Sequence, residues 1–337
     1  MPSAQPTRRL GPLTVSAIGL GCMNLTHAYL PRPEAREAEA LLQHALDSGV
    51  TFFDTAALYG YGANEELLAR AIMHRRGEFT LASKCVLCEI DGKRGLDGSP
   101  AAITRTLEGS LRRLRTDHID LYYMHRLDRN VPIEESMGAL ARAVEAGKIG
   151  AIGVSEMSAA TIRRAHAVHP LAAVQTEYSP FTRNVEVAVL QACADLGIGF
   201  VAFSPLARGL LAGRIDAGGV PAGDIRAGMP RFLPPHLQRN MALAGRVAEV
   251  AADADCTLAQ LALAWVLSRR DDIVPIPGTT SRAHFDENMA TLRAEVPADA
   301  LASVDRLCGF GAVSGPRYAR NLQAQIDTEI WDGEPLD

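Results

Sequence analysis

Short apolar runs alternate with amphipathic stretches eight times along this chain, and that rhythm limits its possible folds more than any other feature. The runs predicted as strands are Ala17–Gly21, Thr51–Ala56, Phe79–Cys85, Asp120–His125, Ile149–Ser155, Ala172–Tyr178, Gly199–Pro205 and Ile273–Pro277. Most lack strict apolar–polar alternation, as strands covered on both faces do. Between them lie helix signals. Pro33–Ser48 opens with proline and acidic residues and stops at Gly49. Asn64–Arg76 ends in basic residues before Gly77, in keeping with the helix dipole. Pro100–Leu114, Ile133–Ala146, Ser158–Val168 and Val185–Leu196 repeat the pattern. Eight successive strand–helix units predict an α/β fold, a parallel (β/α)8 TIM barrel; a doubly wound sheet also alternates but rarely needs so many repeats.

At roughly 150 residues per domain, 337 residues suggest about two domains. A barrel with insertions uses that whole length, however, so residues 1–337 are read as one barrel domain, with the barrel at about 17–308 and a tail over 309–337. Two segments break the rhythm. Arg8–Ser16 reads as an N-terminal hairpin turning near Gly11-Pro12. Leu206–Gln238 is long, rich in Gly and Pro, and follows strand seven, the pattern of a lid or binding loop at an active site. The tail from Gly309, with Trp331, is a second candidate for covering the barrel mouth.

A net charge of -5 and a pI near 6.0 argue against a nucleic-acid partner, which selects a basic face. The longest apolar stretch, around Leu261–Leu267, is far short of a bilayer span, and no apolar segment follows the arginines of Met1–Leu10. The chain is therefore expected to be soluble and cytoplasmic, with no membrane partner. Cys22, Cys85, Cys88, Cys193, Cys256 and Cys308 are too few for a disulfide framework at this length. Cys85 and Cys88 form a C-x-x-C that suits half a zinc site or a redox pair, but no second pair or H-x-x-x-H supplies the remaining ligands. Packed or loop thiols account for them, and no metal site is predicted.

In such a barrel the side chains at the carboxyl ends of the strands line the reaction site. Strand two ends in Phe52-Phe53-Asp54-Thr55-Ala56, with Tyr59 a turn later; strand three ends with Lys84 and strand four with His125. An acid, a phenol, an amine and an imidazole thus converge on one rim. Taken singly, each has a structural reading: a packed histidine, a loop tyrosine, a structural ion pair. Together they suit proton delivery to a carbonyl oxygen. A free phenol has a pKa of about 10 and is a poor donor at neutral pH. A charged Lys84 about 4 Å away is worth about 4 kcal/mol at an effective dielectric near 20, which predicts a phenol pulled down toward neutrality. Asp54 keeps the buried ammonium charged, and His125 orients the carbonyl.

No Ser-His-Asp or Cys-His arrangement, H-E-x-x-H run, G-x-G-x-x-G fingerprint or P-loop is visible. Barrels often hold phosphates with the loops after strands seven and eight. Here those loops read Phe203-Ser204-Pro205-Leu206-Ala207-Arg208-Gly209 and Pro277-Gly278-Thr279-Thr280-Ser281-Arg282, each offering hydroxyls, backbone amides and one Arg.

These residues, with Ser83-Lys84, Tyr123-Met124-His125, Gly153-Val154-Ser155, Val174-Gln175 and Ile276-Pro277-Gly278 followed by Glu287-Asn288, resemble the aldo-keto reductases, in order from about Leu10 to Leu307. Asp120–His125 and Arg163–Pro170 look like the perakine-reductase-like branch of bacteria and plants. The resemblance implies reduction of an aldehyde or ketone by NADPH or NADH. Hydride would come from nicotinamide C4 and a proton from Tyr59, with Lys84 and Asp54 tuning the phenol and His125 positioning the carbonyl. By position, Ser155 and Gln175 match the carboxamide contacts. Phe203 stands where the family has a stacking Tyr; Ser204, Leu206 and Arg208 match the diphosphate contacts. Glu287 and Asn288 match the adenine contacts, while Gly21, Cys22 and Met23 match the turn after strand one. The basic cluster that grips the 2′-phosphate of NADPH in close relatives reads here Thr279-Thr280-Ser281-Arg282-Ala283-His284, leaving one Arg and one His. NADPH is the expected cofactor, with NADH in play.

Two rivals stand beside this reading. In an aldolase-like lyase Lys84 would form a Schiff base, trappable with borohydride; the Asp54 that keeps it charged argues against that. A cofactor-binding regulatory subunit, like the potassium-channel β subunits that share the fold, would carry no need for the complete set of four residues. Substrate specificity is expected in Leu206–Gln238, in the tail and in the insert Leu87–Ser99, whose Glu89, Asp91, Lys93, Arg94 and Asp97 read as solvated. The predicted substrate is a medium-sized, partly apolar carbonyl compound.

Overall fold

The computed structural model describes residues 5–90, 93–215 and 218–336. Eight parallel strands form the barrel: β3 (Leu20–Gly21), β4 (Phe52–Asp54), β5 (Thr80–Cys85), β8 (Ile119–Met124), β9 (Ile149–Ser155), β10 (Leu171–Glu177), β11 (Gly199–Phe203) and β12 (Ile273–Ile276). They are hydrogen-bonded in that order. The ring closes where Gly19 N donates to Pro275 O (3.0 Å) and Gly21 N to Pro277 O (3.4 Å). Pro275 and Pro277 have no N–H to return, so this seam is one-sided; of the run Ala17–Gly21 only Leu20–Gly21 is laddered, against β4.

Two antiparallel hairpins decorate the barrel. β1 (Thr7–Leu10) and β2 (Leu13–Ser16) form the expected N-terminal one. It plugs the amino-terminal end: Leu10 and Val15 are fully buried in the barrel's interior cluster with Phe52, Leu121 and Val274. Burying such side chains is worth about 1.5–3 kcal/mol each. The fit is close, because a Cβ on Gly199 would meet Leu10 Cα at 2.7 Å. The second hairpin, β6 (Leu87–Ile90) and β7 (Lys93–Leu96), lies in the insert read above as a solvated loop. Asp91 and the side chains of Cys88 and Lys93 lie outside the described residues.

Helices sheath the barrel. Chief among them are α1 (Ala35–Asp47), α2 (Ala63–Ala71), α3 (Pro100–Leu114), α4 (Ile133–Glu145), α5 (Ala159–Val168) and α6 (Val189–Leu196). After β11 come α7 (His236–Asp253) and α8 (Leu258–Ser268), then α9 (Arg282–Ala290) and α10 (Ala298–Leu307), with a short α11 (Arg320–Gln323) in the tail. Their starts follow local chemistry: α3 has Pro100 in its first turn, and the hydroxyls of Ser99, Ser158 and Thr257 cap α3, α5 and α8. Cys85 is buried, its thiol donating to Tyr123 O (3.4 Å). Among the described residues, no group of three or more His, Cys, Asp or Glu is placed to hold a metal. No single described helix is long and apolar enough to cross a membrane; α7 and α8 reach that length only as a pair bent by 86°.

Candidate active site

β4, β5 and β8 are neighbours, and their register brings Asp54 beside Ala82 and Lys84 beside Tyr123. Asp54, Lys84 and His125 therefore meet at the carboxyl end. Tyr59 arrives from a tight turn, Tyr59–Gly62, in which Gly60 (φ 58°) and Gly62 (φ 98°) adopt the left-handed region. Beneath it, Thr55 Oγ1 donates to Asn64 Oδ1 (2.7 Å), while Asn64 Nδ2 donates to Cys22 O and Thr26 Oγ1 (2.9 Å each). The turn after strand one is thus tied to the one carrying Tyr59.

Lys84 is wholly buried, and Nζ donates to Asp54 Oδ1, to Thr55 O (2.9 Å) and to the Tyr59 hydroxyl (3.2 Å). Gln175 Nε2 donates to the other Asp54 oxygen (2.7 Å). Four side chains from three strands and a turn thus form one chain of hydrogen bonds. The His125 ring stands edge-on to the Tyr59 ring at 5.8 Å, and His27 stacks on the same tyrosine at 6.0 Å.

Burial alone lowers the Lys84 pKa, but Asp54 and Tyr59 outweigh it and raise the value above its ordinary one, so the ammonium stays charged. For Tyr59 the balance runs against the sequence expectation. Desolvation exceeds the pull of Lys84, and the phenol lies above its ordinary value. Sequence reasoning priced the ammonium without the burial and the Asp54 charge. The corrected sign leaves Tyr59 fully protonated at neutral pH. His125 is driven well below its ordinary value, first by burial and then by Arg126, Lys84, Arg94 and His27, so its imidazole is neutral.

The site opens into a cavity of about 620 Å³. Asp54, Tyr59, His125, Ser155 and Gln175 line its floor; Gly21, Met23, Phe203, Ser204, Pro205, Leu206 and Arg208 line its flank. Gly278, Thr279, Thr280, His284, Glu287 and Asn288 line the far end. Four residues singled out from the sequence do not line it. Lys84 lies behind Tyr59; Cys22 is buried in the core with its thiol on Leu20 O; Ser281 caps α9 through His284 N (3.4 Å); Arg282 is exposed.

The loop after β11 is strained: Ser204, Ala207 and Arg208 all have φ near +50° (49°, 48° and 56°), a conformation that non-glycine residues rarely hold without a functional reason. Arg208 is anchored there by Glu177 (2.8 Å) and by the hydroxyl of Tyr318 from the tail (2.8 Å). Further along, Ile225 N donates to Ala28 O (2.7 Å) and Leu30 N to Asp224 Oδ2 (2.9 Å), which ropes the loops after β11 and β3 together over the cavity. Tyr318, Leu322, Gln325 and Ile326 of the tail complete the wall, whereas Trp331 packs on Phe310 instead.

Sequence reasoning missed His27, Arg94, Arg126 and Arg214, all of which line the cavity. Arg214 stands beside Glu287 (3.9 Å), at the end where the sequence left only Arg282 and His284. A basic residue inside a featureless loop carries no signal of its own. Only the fold reveals what it faces.

The aldo/keto reductase family model matches residues 17–308. The chain is 42% identical over 329 residues to a Schizosaccharomyces pombe protein named aldo-keto reductase yakc, NADP(+), covering 95% of this chain and 96% of that one. It is 40% identical over 314 residues to a Glycine max protein named probable aldo-keto reductase 1, covering 91% and 90%. Among solved structures, a glycerol dehydrogenase of Gluconobacter oxydans superposes with a TM-score of 0.81 at 26% identity, over 98% of this chain and 99% of that one. An aldo/keto reductase of Klebsiella pneumoniae in complex with NADP and acetate gives 0.70 at 29% identity, over 90% and 95%.

Proposed function

The chain belongs to the aldo/keto reductase family, and from that premise we infer that it reduces an aldehyde or ketone to an alcohol with NADPH, Tyr59 giving the proton. The observation carrying this reading is the buried Asp54–Lys84–Tyr59 chain, whose phenol reaches the cavity beside a neutral imidazole.

The cavity suits a dinucleotide. Asn24 Oδ1 and His125 Nδ1 are buried without a described partner, and a Cβ on Gly278 would approach both Asn24 Oδ1 and Gly21 O at 3.0 Å, so the wall there is cut to backbone. Ser155 and Gln175 would hold the carboxamide and Phe203 the ring face. Arg126 donates to Ser155 Oγ (3.2 Å), which leaves the serine's own proton free to donate. The strained loop of Ser204, Pro205, Leu206 and Arg208 would take the diphosphate; Glu287 and Asn288 the adenine. Thr279, Thr280 and His284 would take the 2′-phosphate together with Arg214. When bound, the reduced nicotinamide supplies hydride.

The protein's own work is then proton management. Lys84 and Asp54 hold a fixed charge behind the phenol, so the phenolate left after transfer is stabilised as it forms. His125, uncharged, hydrogen-bonds the carbonyl oxygen without competing as an acid. NADPH consumption against a panel of aldehydes and ketones tests the assignment, and turnover of none overturns it. The pH profile is a sharper check. His125 is neutral above its ordinary 6.5, and Tyr59 keeps its proton to beyond 10.0. Reduction is therefore expected to be flat between those limits and to decline only on the alkaline side. A loss centred near 6.5 would mean that a protonated His125 is the acid.

Arg214 gives a second prediction. If it meets the 2′-phosphate, Arg214→Ala raises KM for NADPH about tenfold, the equivalent of about 1.4 kcal/mol, and leaves KM for NADH little changed. Equal effects on both cofactors would remove Arg214 from that role.

A further inference from the structure

We propose that the carbonyl substrate carries a carboxylate, received by Arg94 and Arg126 at the cavity mouth; the proposal rests on the carbonyl-reduction reading above. Both guanidinium groups line the same cavity as Tyr59 and His125. Arg126 follows His125 directly and spends Nη1 on His125 O (2.6 Å) and Ser155 Oγ (3.2 Å). Its Nε and Nη2 donate to no described residue. Arg94, on β7, makes no hydrogen bond or ion pair with any described residue. Glu89 faces it across the hairpin register but makes no ion pair with it. The acids that line the cavity are committed elsewhere: Asp54 to Lys84 and Gln175, and Glu287 at the far end near Arg214.

Two cations with no described counter-charge therefore share the end of the cavity where the carbonyl must sit. Arg94 is depressed first by burial and then by the charge of Arg126, so the two guanidinium groups repel each other. An anion between them relieves that repulsion. The planar guanidinium fork matches a carboxylate in geometry as well as charge. Leu58, Leu87 and Leu322 supply apolar wall around the same opening, which suits a carbon skeleton joining the carboxylate to the carbonyl.

The test compares para-carboxybenzaldehyde with its methyl ester, the same skeleton with the charge removed, using the full-length protein at saturating NADPH. The acid is expected to have the higher kcat/KM by about tenfold, since two charge-assisted hydrogen bonds exceed the 1.4 kcal/mol this requires. Arg94→Gln, on the hairpin at the cavity wall, is expected to shrink the acid-to-ester ratio toward one. An ester used as well as the acid, or a ratio unmoved by Arg94→Gln, overturns the carboxylate proposal and leaves carbonyl reduction standing. Failure of both compounds while other aldehydes are reduced overturns the carboxylate proposal alone. Failure of every carbonyl tried overturns both readings.

Discussion

Tyr59→Phe is expected to lower kcat for carbonyl reduction by about a hundred- to ten-thousand-fold, the range that a positioned general acid contributes, with KM for NADPH unchanged. The substitution removes one oxygen. Lys84 loses its acceptor at 3.2 Å but keeps Asp54 and Thr55 O, so its charge remains compensated and the fold is not put at risk. Because the phenol is protonated at neutral pH, the loss reflects a missing donor and not a missing charge. Steady-state rates on the best carbonyl of the panel, with fluorescence titration of NADPH alongside, separate the two effects. A kcat within a few-fold of the parent would mean that the proton has another source. His125 would then be the first group to examine, although its depressed pKa leaves it a neutral imidazole, which donates a hydrogen bond but is a poor acid.

The contrast between what the chain spells out and what only folding reveals is visible in this same site. Asp54, Tyr59, Lys84 and His125 were legible because a barrel strand has one functional end, and a polar residue there stands out against an apolar run. The glutamine that grips Asp54 was legible as a site residue but not in that role: Gln175 is 121 positions away, and nothing local encodes the pairing. The sign of the Tyr59 shift was not legible either, since it turns on burial, which a sequence expresses only through the finished fold. The insert hairpin was missed although Asp91-Gly92 is a standard hairpin dipeptide, because the strands around it mix charges with apolar residues. The tail was read as a cover, and Tyr318, Leu322, Gln325 and Ile326 do line the cavity, but the charged residues that moor it gave no sequence signal.

Those moorings carry the second large expectation. Arg317, almost wholly buried, donates to Glu156 Oε1 (2.7 Å) and pairs with Glu177 (3.5 Å), while Thr328 and the backbone of Asp327 also hold Glu156. Arg317→Met leaves Glu156 without its guanidinium and Glu177 with Arg208 as its one described ion-pair partner, which is expected to cost roughly 3–5 kcal/mol in urea unfolding. Exposed Arg164, paired with Glu134 in α4, supplies the control: Arg164→Met should leave the urea midpoint close to that of the parent, because a solvent-screened pair contributes little. The pH dependence distinguishes a charge effect from a packing one. Burial would raise the Glu177 pKa, but Arg208, Arg317 and Arg231 hold it below the usual carboxylate range. Its pairing therefore stabilises the fold above the ordinary carboxylate pKa of about 4.3 and is lost as pH falls below it. Without Arg317 the carboxylate takes up a proton more readily than in the parent, so the gap between variant and parent should hold from neutrality to about 4 and narrow as pH falls below that. The same variant loosens Tyr318, which holds Arg208 in the strained loop, and KM for NADPH should rise with the loss of stability. A variant as stable as the Arg164→Met control, or a gap that does not change with pH, would mean that the tail is held by its apolar contacts and not by this buried charge.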